Sequence, residues 1–288
     1  MLRFLLSTFL LFSLLAHSPT MLTAQSPWAR SKAGFYAQAA WQSISSYSTL
    51  FGDTNDKDHV LARSVSENSF QLYGEYGVTK RTTVTAALPF VFNRRDCLNP
   101  ESPLAFEQID SGSVAGLGNI NLALRHQFLN GKIALAGTLR VGLPTSKYQE
   151  TTGLRTGYNA LTVLPTLSVG MGLGKAYWFA YGGYGYRSND YSHFANAGVE
   201  GGYRVWKIWL IGFSELVAPL ENGSRPLPPP DLLTGLYVND QGWLSIGVKS
   251  IFEINRFWGL NLSAAGATWG QNVPKRPAFS LGAYFKWD

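Results

Sequence analysis

Histidine is the side chain best suited to acid–base chemistry at neutral pH, and this 288-residue chain contains four. His17 lies near the N terminus, and His59 and His193 have no second ligand at a metal-binding spacing. His126 is the remaining candidate, because a histidine next to a serine can activate that serine as a nucleophile. The predicted neighbour of His126 across the sheet is Leu135. We therefore interpret His126 as an outward-facing side chain without a catalytic role.

Oxygen ligands that suit a calcium ion occur together in residues 53–58. They are Asp53, Asn55, Asp56 and Asp58. An EF-hand loop also needs a glycine at its sixth position and a closing glutamate at its twelfth, which here is Ser64. A solvated loop is favoured over a calcium loop, and both interpretations stay open. The single cysteine, Cys97, has no partner for a disulfide or a cysteine-based metal site. We predict no metal site, no cofactor and no enzymatic activity.

Charged, amide and tyrosine side chains recur at every second position of otherwise apolar runs, and these are the better functional candidates. A dry core would not accept such groups unpaired, whereas a water-filled lumen would. In a lumen, a charge either is screened by water or selects which ions enter, and the sequence leaves both open. The predicted lumen-lining residues are Tyr73, Glu75, Asn121, Arg125, Gln127, Arg140, Glu200, Arg204 and Lys249.

The elements that must position these residues are clearest between Gly116 and Pro144. Two alternating runs are joined there by Asn130-Gly131, which favours a two-residue type I′ hairpin turn. Counting outward from this turn gives an apolar face and a face of polar or small residues. The predicted apolar pairs are Ile120 with Val141, Leu122 with Leu139, Leu124 with Gly137, His126 with Leu135, and Phe128 with Ile133. The predicted pairs on the other face are Asn121 with Arg140, Ala123 with Thr138, Arg125 with Ala136, and Gln127 with Ala134.

The two runs are about ten to twelve residues long, the length that a tilted strand needs to cross a bilayer. One apolar and one polar face are typical of a strand between lipid and an aqueous lumen. We therefore predict an all-β fold, a transmembrane antiparallel up-and-down β-barrel. The same alternation from Gly34 onward predicts twelve strands. Fourteen is the alternative, in which residues 232–239 form a wall strand and one more strand lies elsewhere.

Short and long connections alternate along the chain. Residues 44–67 and 93–115 are predicted to be long polar loops, and Pro89 predicts a bulge in the third strand. Because short turns of outer-membrane barrels face the periplasm, we expect both termini there. The long loops, expected outside the cell, are centred near Asp56, Pro103, Glu150 and Pro228.

Residues 1–25 have an early arginine, an apolar core and small residues near a cleavage region, which indicates a cleaved secretory signal peptide. Residues 26–288 are then expected to form a single barrel domain without a membrane helix. The formal net charge of +6 falls to +5 without Arg3, and this weak excess does not indicate nucleic-acid binding. The predicted location is the outer membrane of a Gram-negative-type bacterium.

Two stretches resemble a known family. YGVTKRTTVTAALPFVF (76–92) has a tight turn and a strand ending in Leu-Pro, and GLGNINLALRHQF (116–128) has a Gly-Leu-Gly opening with Asn119 in place of the family's usual acid. Together they resemble the outer-membrane barrels named for the meta-pathway of phenol degradation. The final LGAYFKW is similar to the aromatic-rich last strand by which outer-membrane barrels are recognised for assembly. The resemblance implies transport of small molecules, aromatic ones included, and supplies no catalytic residue.

The sequence thus favours a passive outer-membrane channel for small molecules, with aromatic or hydrophobic acids as the predicted class. The alternative is a non-transporting barrel with a surface-interaction or structural role. The predicted partners are outer-membrane lipid, small solutes and the barrel-assembly machinery. A twelve-stranded lumen is only moderately wider than that of an eight-stranded barrel, so the path is expected to be narrow. Arg125 and Arg140, on adjacent strands, are expected to give it a weak preference for anions.

Overall fold

The computed structural model describes residues 25–52, 57–103 and 110–287. The predicted signal peptide up to residue 24 and the Asp53, Asn55 and Asp56 part of the candidate calcium loop lie outside these ranges. In the described part, no helix is long and apolar enough to cross a membrane. The strands are β1 (Phe35–Leu50), β2 (His59–Gly77), β3 (Thr82–Leu98), β4 (Gly112–Leu117), β5 (Ile120–Asn130), β6 (Ala134–Leu143), β7 (Thr162–Leu173), β8 (Ala176–Arg187), β9 (Phe194–Val205), β10 (Ile208–Pro219), β11 (Gly242–Glu253), β12 (Trp258–Gln271) and β13 (Ala278–Trp287), and a short 3₁₀ helix (Pro230–Leu232) precedes β11.

The strands close into a barrel by antiparallel pairing. β1 pairs with both β2 and β13, which joins the first strand to the last. β4 and β5 share one position in the wall, because β5 pairs with the first half of β3 and β4 with its second half. The wall therefore has twelve positions, and the predicted all-β barrel of twelve strands is confirmed. Residues 232–239 lie in a loop rather than in the wall, which rules out their role in the fourteen-strand alternative.

The faces of the β5–β6 hairpin follow the predicted pattern. Leu124 and Leu139 point outward and are 49% and 48% exposed, whereas Arg125 points inward and is 1% exposed. Exposed aliphatic side chains outside and buried charges inside are the reverse of a soluble domain. This distribution is what a lipid-facing wall requires.

The predicted register of this hairpin is wrong by two residues. Leu124 lies opposite Leu139 rather than Gly137, and Arg125 lies opposite Thr138 rather than Ala136. The turn contains three residues, 131–133, which places Asn130 opposite Ala134 and moves the register by three residues, and a shift near Phe128 takes back one of the three. Neither Asn130 nor Gly131 adopts the positive φ that a type I′ turn requires. Because the total shift is an even number of residues, every side chain keeps its predicted face.

Three strands extend well beyond the others at one end of the barrel. β1, β2 and β3 contain 16, 19 and 17 residues, whereas the other wall strands contain 10 to 14, apart from the six-residue β4. Residues 44–50 and 59–67 of the first predicted loop, and residues 93–98 and 112–115 of the second, are therefore strand. The polar outward residues hid this extension in the sequence, while the inward residues Ile44, Tyr47 and Val65 are buried.

The bulge predicted at Pro89 does not occur in β3. The irregularity lies instead in the adjacent wall position, between β4 and β5. Pro89 itself pairs with Gln71 in an unbroken ladder between β3 and β2. Opposite it, the wall position shared by β4 and β5 is interrupted at Gly118 and Asn119, where the register changes by one residue. Because proline has no backbone N–H, Pro89 needs no acceptor from the adjacent strand. The break in that strand therefore costs no hydrogen bond donated by Pro89.

The two ends of the barrel differ in their connections. Both Phe35 at the start of β1 and Trp287 at the end of β13 lie at one end, together with five turns of two to four residues. These turns are residues 78–81, 131–133, 174–175, 206–207 and 254–257. We call this the short-turn end. The opposite, long-loop end carries residues 144–161 and 220–241 among its connections.

Candidate functional site

The chain that precedes β1 runs inside the barrel. Residues 25–31 contact inward-facing side chains of several strands. The Trp28 indole packs edge-on against Tyr177 and Phe179, with ring centroids 6.0 and 6.1 Å apart. We call residues 26–31, which belong to the predicted mature chain, the lumenal segment. Because it lies inside the barrel, it narrows any path through the lumen.

A buried carboxylate fixes the lumenal segment to the wall. Glu75 Oε2 accepts a hydrogen bond from Arg30 Nε at 2.6 Å, and Glu75 Oε1 lies 3.3 Å from Arg125 Nη2. The Tyr73 hydroxyl also donates to Glu75, at 2.7 Å. Arg125 Nη1 donates to the Trp28 carbonyl oxygen at 2.9 Å. Arg125 therefore binds protein groups rather than facing open water, and the geometry favours an anchoring role over the anion-attracting role expected from the sequence.

A side-chain amide holds the lumenal segment at another point. Gln127 Oε1 accepts a hydrogen bond from the Ala29 N–H at 3.1 Å. Gln127 lies on β5 and Glu75 lies on β2, so the segment is attached to two separate parts of the wall. Gln25 Nε2 also donates to Asn196 Oδ1 at 3.4 Å, but Gln25 is the last residue of the predicted signal peptide and is not part of the predicted mature chain.

A cavity of about 600 Å³ lies beside the lumenal segment toward the short-turn end. Three aromatic side chains at alternating positions of β8 line it, namely Tyr177, Phe179 and Tyr181. The rings of Tyr177 and Phe179 are nearly parallel with centroids 6.3 Å apart, and Trp209 meets Tyr177 at 5.3 Å. We call this the aromatic cavity. Its walls offer flat apolar surfaces on which a planar ring can stack.

An ion pair crosses one side of the aromatic cavity. Lys249 Nζ lies 2.9 Å from Glu200 Oε2, and the Tyr177 hydroxyl donates to Glu200 Oε1 at 2.7 Å. Both charges are therefore matched within the wall, and neither is left to attract a mobile ion.

A second cavity, of about 150 Å³, lies toward the long-loop end. Arg140 faces it, and within the described residues its guanidinium makes no hydrogen bond or ion pair. Arg187, another basic residue in this lining, instead packs on the rings of Tyr158 and Phe194, 4.0 and 4.2 Å from their centroids. We call this space the arginine cavity. Among the described residues neither arginine pairs with a carboxylate, and Arg140 differs in that no ring contact holds its guanidinium.

The two cavities adjoin, because Glu215 lines both. Glu215 Oε1 accepts hydrogen bonds from Asn196 Nδ2 at 3.1 Å and from the Tyr181 hydroxyl at 3.3 Å. Its carboxylate is therefore already hydrogen-bonded, and Arg140 is left without a hydrogen bond or ion pair among the described residues.

The long-loop end is closed by packed loops. Leu236 and Val238 of loop 220–241 form an apolar cluster with Ile44 and other buried residues of the extended strands. The Tyr237 hydroxyl donates to Glu67 Oε1 at 3.0 Å. Burial raises the pKa of Tyr237 well above its usual value, and the Glu67 carboxylate acts in the same direction, so the hydroxyl stays protonated and keeps this bond. These loop contacts have no periodic signal, and the sequence did not predict them.

The predicted lumen-lining residues fall into four groups. Tyr73, Glu75, Glu200 and Lys249 line the aromatic cavity. Asn121 and Arg140 line the arginine cavity. Arg125 and Gln127 contact the lumenal segment. Arg204 lies at the rim of the short-turn end in an ion pair with Glu253. The sequence does not predict the role of Trp28, because the residues between the predicted signal peptide and β1 have no alternating pattern.

His126 lies on the outer surface near the short-turn end. Its neighbour on β6 is Gly137, not the predicted Leu135, and its Nδ1 lies 3.0 Å from Thr82 Oγ1 on β3. The His126 ring also packs against Phe128, with centroids 5.4 Å apart. A polar pair beside an aromatic ring on an outward face is typical of the membrane interface.

No protein-family model matches the chain, and no curated protein matches it, so membership of the phenol meta-pathway family stays a prediction. Solved structures share its architecture. An outer membrane channel from Pseudomonas putida F1 is 16% identical, with a TM-score of 0.70, and the match covers 92% of this chain and 100% of that one. The β domain of the Bordetella autotransporter BrkA is 12% identical, with a TM-score of 0.51, over 89% of this chain and 100% of that one. At these identities the likeness shows the fold, which is that of outer-membrane β-barrels.

Proposed function

We propose that the protein is an outer-membrane channel for small solutes and that aromatic or hydrophobic acids are the solutes it passes. The observation that carries this proposal is the adjoining pair of cavities inside the barrel, one lined by aromatic rings and one containing the unpartnered Arg140. The channel of the same fold from Pseudomonas putida F1 supports the transport role. The resemblance to the phenol meta-pathway barrels supports the solute class.

The two cavities match the two halves of an aromatic acid. The ring stacks on Tyr177, Phe179 or Tyr181, and the carboxylate pairs with the Arg140 guanidinium. A neutral aromatic molecule gains only the first contact, and an inorganic anion gains only the second. The proposed preference is therefore for molecules that carry both groups.

The path is narrow in the described conformation. The lumenal segment lies in the lumen toward the short-turn end, and loop 220–241 closes the long-loop end. Passage thus requires the closing loop to move, and the lumenal segment narrows the rest of the path, so we expect small, intermittent conductance rather than the steady current of a wide porin. The aromatic-rich β13 is proposed as the signal that the barrel-assembly machinery recognises.

A surface-interaction or structural role is the second candidate. The packed loops of the long-loop end favour it, because they form a closed surface over the lumen. The two functions differ in one measurable property, the passage of solute.

The test is reconstitution of the mature chain into planar bilayers and liposomes, with measurement of ion selectivity and benzoate uptake. We expect uptake above the lipid background, and Arg140→Gln should lower the anion-over-cation permeability ratio by at least about twofold. Arg94→Gln is the matched control, because it removes the same charge from a side chain that is exposed outside the lumen. If the wild type passes neither ions nor benzoate, transport is refuted and the surface role replaces it. If it conducts but Arg140→Gln leaves selectivity unchanged, transport survives and the assignment of Arg140 fails.

A further inference from the structure

The short-turn end carries a ring of basic side chains. Each of the five turns contains at least one exposed lysine or arginine, and none contains an aspartate or glutamate. The basic residues are Lys80, Arg81, Lys132, Lys175, Lys207 and Arg256. We call them the basic ring. The long-loop end differs, since its connections also contain acids such as Glu150, Asp190 and Glu221.

Exposed apolar side chains accompany the basic ring all around the barrel. One lies in or next to each turn, between 44% and 74% exposed. They are Val78, Ile133, Leu173, Trp206 and Ile254. Such residues at the edge of a lipid-facing wall mark the boundary between acyl chains and head groups, and neighbouring lysine and arginine side chains extend to the head groups. The basic ring therefore lies at the level of lipid phosphates.

Two adjacent turns form the best-defined part of the ring. Lys207 Nζ lies 5.4 Å from the centroid of the Trp206 ring and 3.3 Å from the Ile254 carbonyl oxygen, which links turn 206–207 to turn 254–257. The Arg256 guanidinium lies 4.4 Å from the Phe257 ring centroid. Each cation is thus held over an aromatic ring, and the donors that Lys207 does not use on Ile254, together with those of Arg256, can reach a phosphate oxygen.

We propose that the basic ring binds anionic phospholipids, of the phosphatidylglycerol type, and that Lys207 and Arg256 form its strongest site. The phosphate contacts the two cations, and the acyl chains lie along the exposed rings of Trp206 and Trp258. This inference rests on the proposed membrane location, with the short-turn end in the periplasmic leaflet. An acidic protein fits less well, because the cations are spread around the circumference beside lipid-facing residues instead of forming one projecting patch.

The test compares lipid retention in detergent by native mass spectrometry, with phosphatidylglycerol and phosphatidylcholine of identical acyl chains. We expect the wild type to retain phosphatidylglycerol over phosphatidylcholine at least about fivefold, the factor for one basic side chain at an anionic surface. A variant with Lys80→Gln, Lys132→Gln, Lys175→Gln, Lys207→Gln and Arg256→Gln should lose this preference. The matched control removes the same number of charges at the long-loop end, through Lys57→Gln, Arg94→Gln, Lys147→Gln, Lys275→Gln and Arg276→Gln, and should keep it.

A variant with only two substitutions serves as a second test in case the variant with five substitutions does not fold. The double variant Lys207→Gln, Arg256→Gln should lower the preference from about fivefold to about twofold or less if this pair is the strongest site. An equal preference in the wild type and both ring variants would overturn the proposal. So would binding of polyglutamate that depends on the ring without any lipid preference, since the ring would then serve an acidic protein. None of these outcomes depends on solute passage, so the channel proposal stands or falls separately.

Discussion

At the scale of single residues, the electrostatics of the lumen depend on which charges are already paired. Glu75 is shared by Arg30 and Arg125, and Glu200 is paired with Lys249. Charges of this kind cost little in the folded state only while their partners remain. Arg140 is the exception, and this difference is the reason for giving it the ligand-binding role.

The first prediction concerns the anchor of the lumenal segment. Arg125→Gln should lower the free energy of unfolding by about 1.5–3 kcal/mol, because the buried Glu75 loses one charged hydrogen-bond partner while Arg30 remains. The same change should raise conductance, since the Trp28 carbonyl loses its hydrogen bond to the wall. Denaturation in detergent and single-channel recording measure the two effects. Arg94→Gln, which breaks an exposed pair with Asp96, should cost at most about 1 kcal/mol, and equal costs would contradict the anchor.

At the scale of elements, alternation along a strand determines which side chains meet lipid. Leu139 faces outward from the middle of β6, and Gln38 faces the aromatic cavity from β1. The two-residue error in the predicted hairpin register does not affect this assignment, because an even shift preserves the faces.

The second prediction tests this assignment. Leu139→Arg should destabilise the barrel by about 2–4 kcal/mol, because it places a charge in the hydrocarbon layer. Gln38→Arg should cost much less, because the new guanidinium enters a polar cavity. Reversible unfolding into lipid vesicles gives both values. Equal costs at the two positions would show that the wall is not divided into lipid and lumen faces.

The sequence was a good guide to the strands and a poor one to the connections. The twelve strands and the two faces of the β5–β6 hairpin were predicted, since long runs of alternating apolar and polar residues leave little freedom. The length of turn 131–133 was not predicted, because a bulge near Phe128 competes with the two-residue turn that Asn130-Gly131 favours. The roles of Trp28 and Tyr237 depend on tertiary contacts between distant segments, which have no periodic signature.

At the scale of the whole molecule, the barrel has two chemically different ends. The short-turn end carries both chain termini and the basic ring, and the long-loop end carries inward-folded loops. In outer-membrane barrels the short turns face the periplasm, which gives the orientation proposed for this chain.

The third prediction tests this orientation with the native cysteine. Cys97 is exposed just before the end of β3, at the long-loop end. An impermeant thiol reagent should therefore label the wild type on intact cells. In a Cys97→Ser background, Glu150→Cys should restore labelling and Lys132→Cys should not. Labelling of Lys132→Cys alone would mean that the barrel is inserted in the opposite direction.

The last prediction concerns the closure of the long-loop end, which involves the whole chain because two loops far apart in sequence meet there. Gly153 has a φ of +70°, and a Cβ at this position would overlap the Leu232 carbonyl oxygen of loop 220–241. Gly153→Ala should therefore separate the two loops and cost about 1–3 kcal/mol of backbone strain.

Gly174 provides the matched control for Gly153. Its φ is +69°, but a Cβ there would meet no atom within 4 Å, so Gly174→Ala carries the same backbone strain without the collision. Limited proteolysis of the folded barrel should cut loop 220–241 faster in Gly153→Ala than in Gly174→Ala, and only the first variant should show longer channel openings. Equal proteolysis rates would mean that the contact between Gly153 and Leu232 does not hold the loops together. Faster proteolysis without longer openings would place the obstacle to conduction at the lumenal segment, where Arg125→Gln acts.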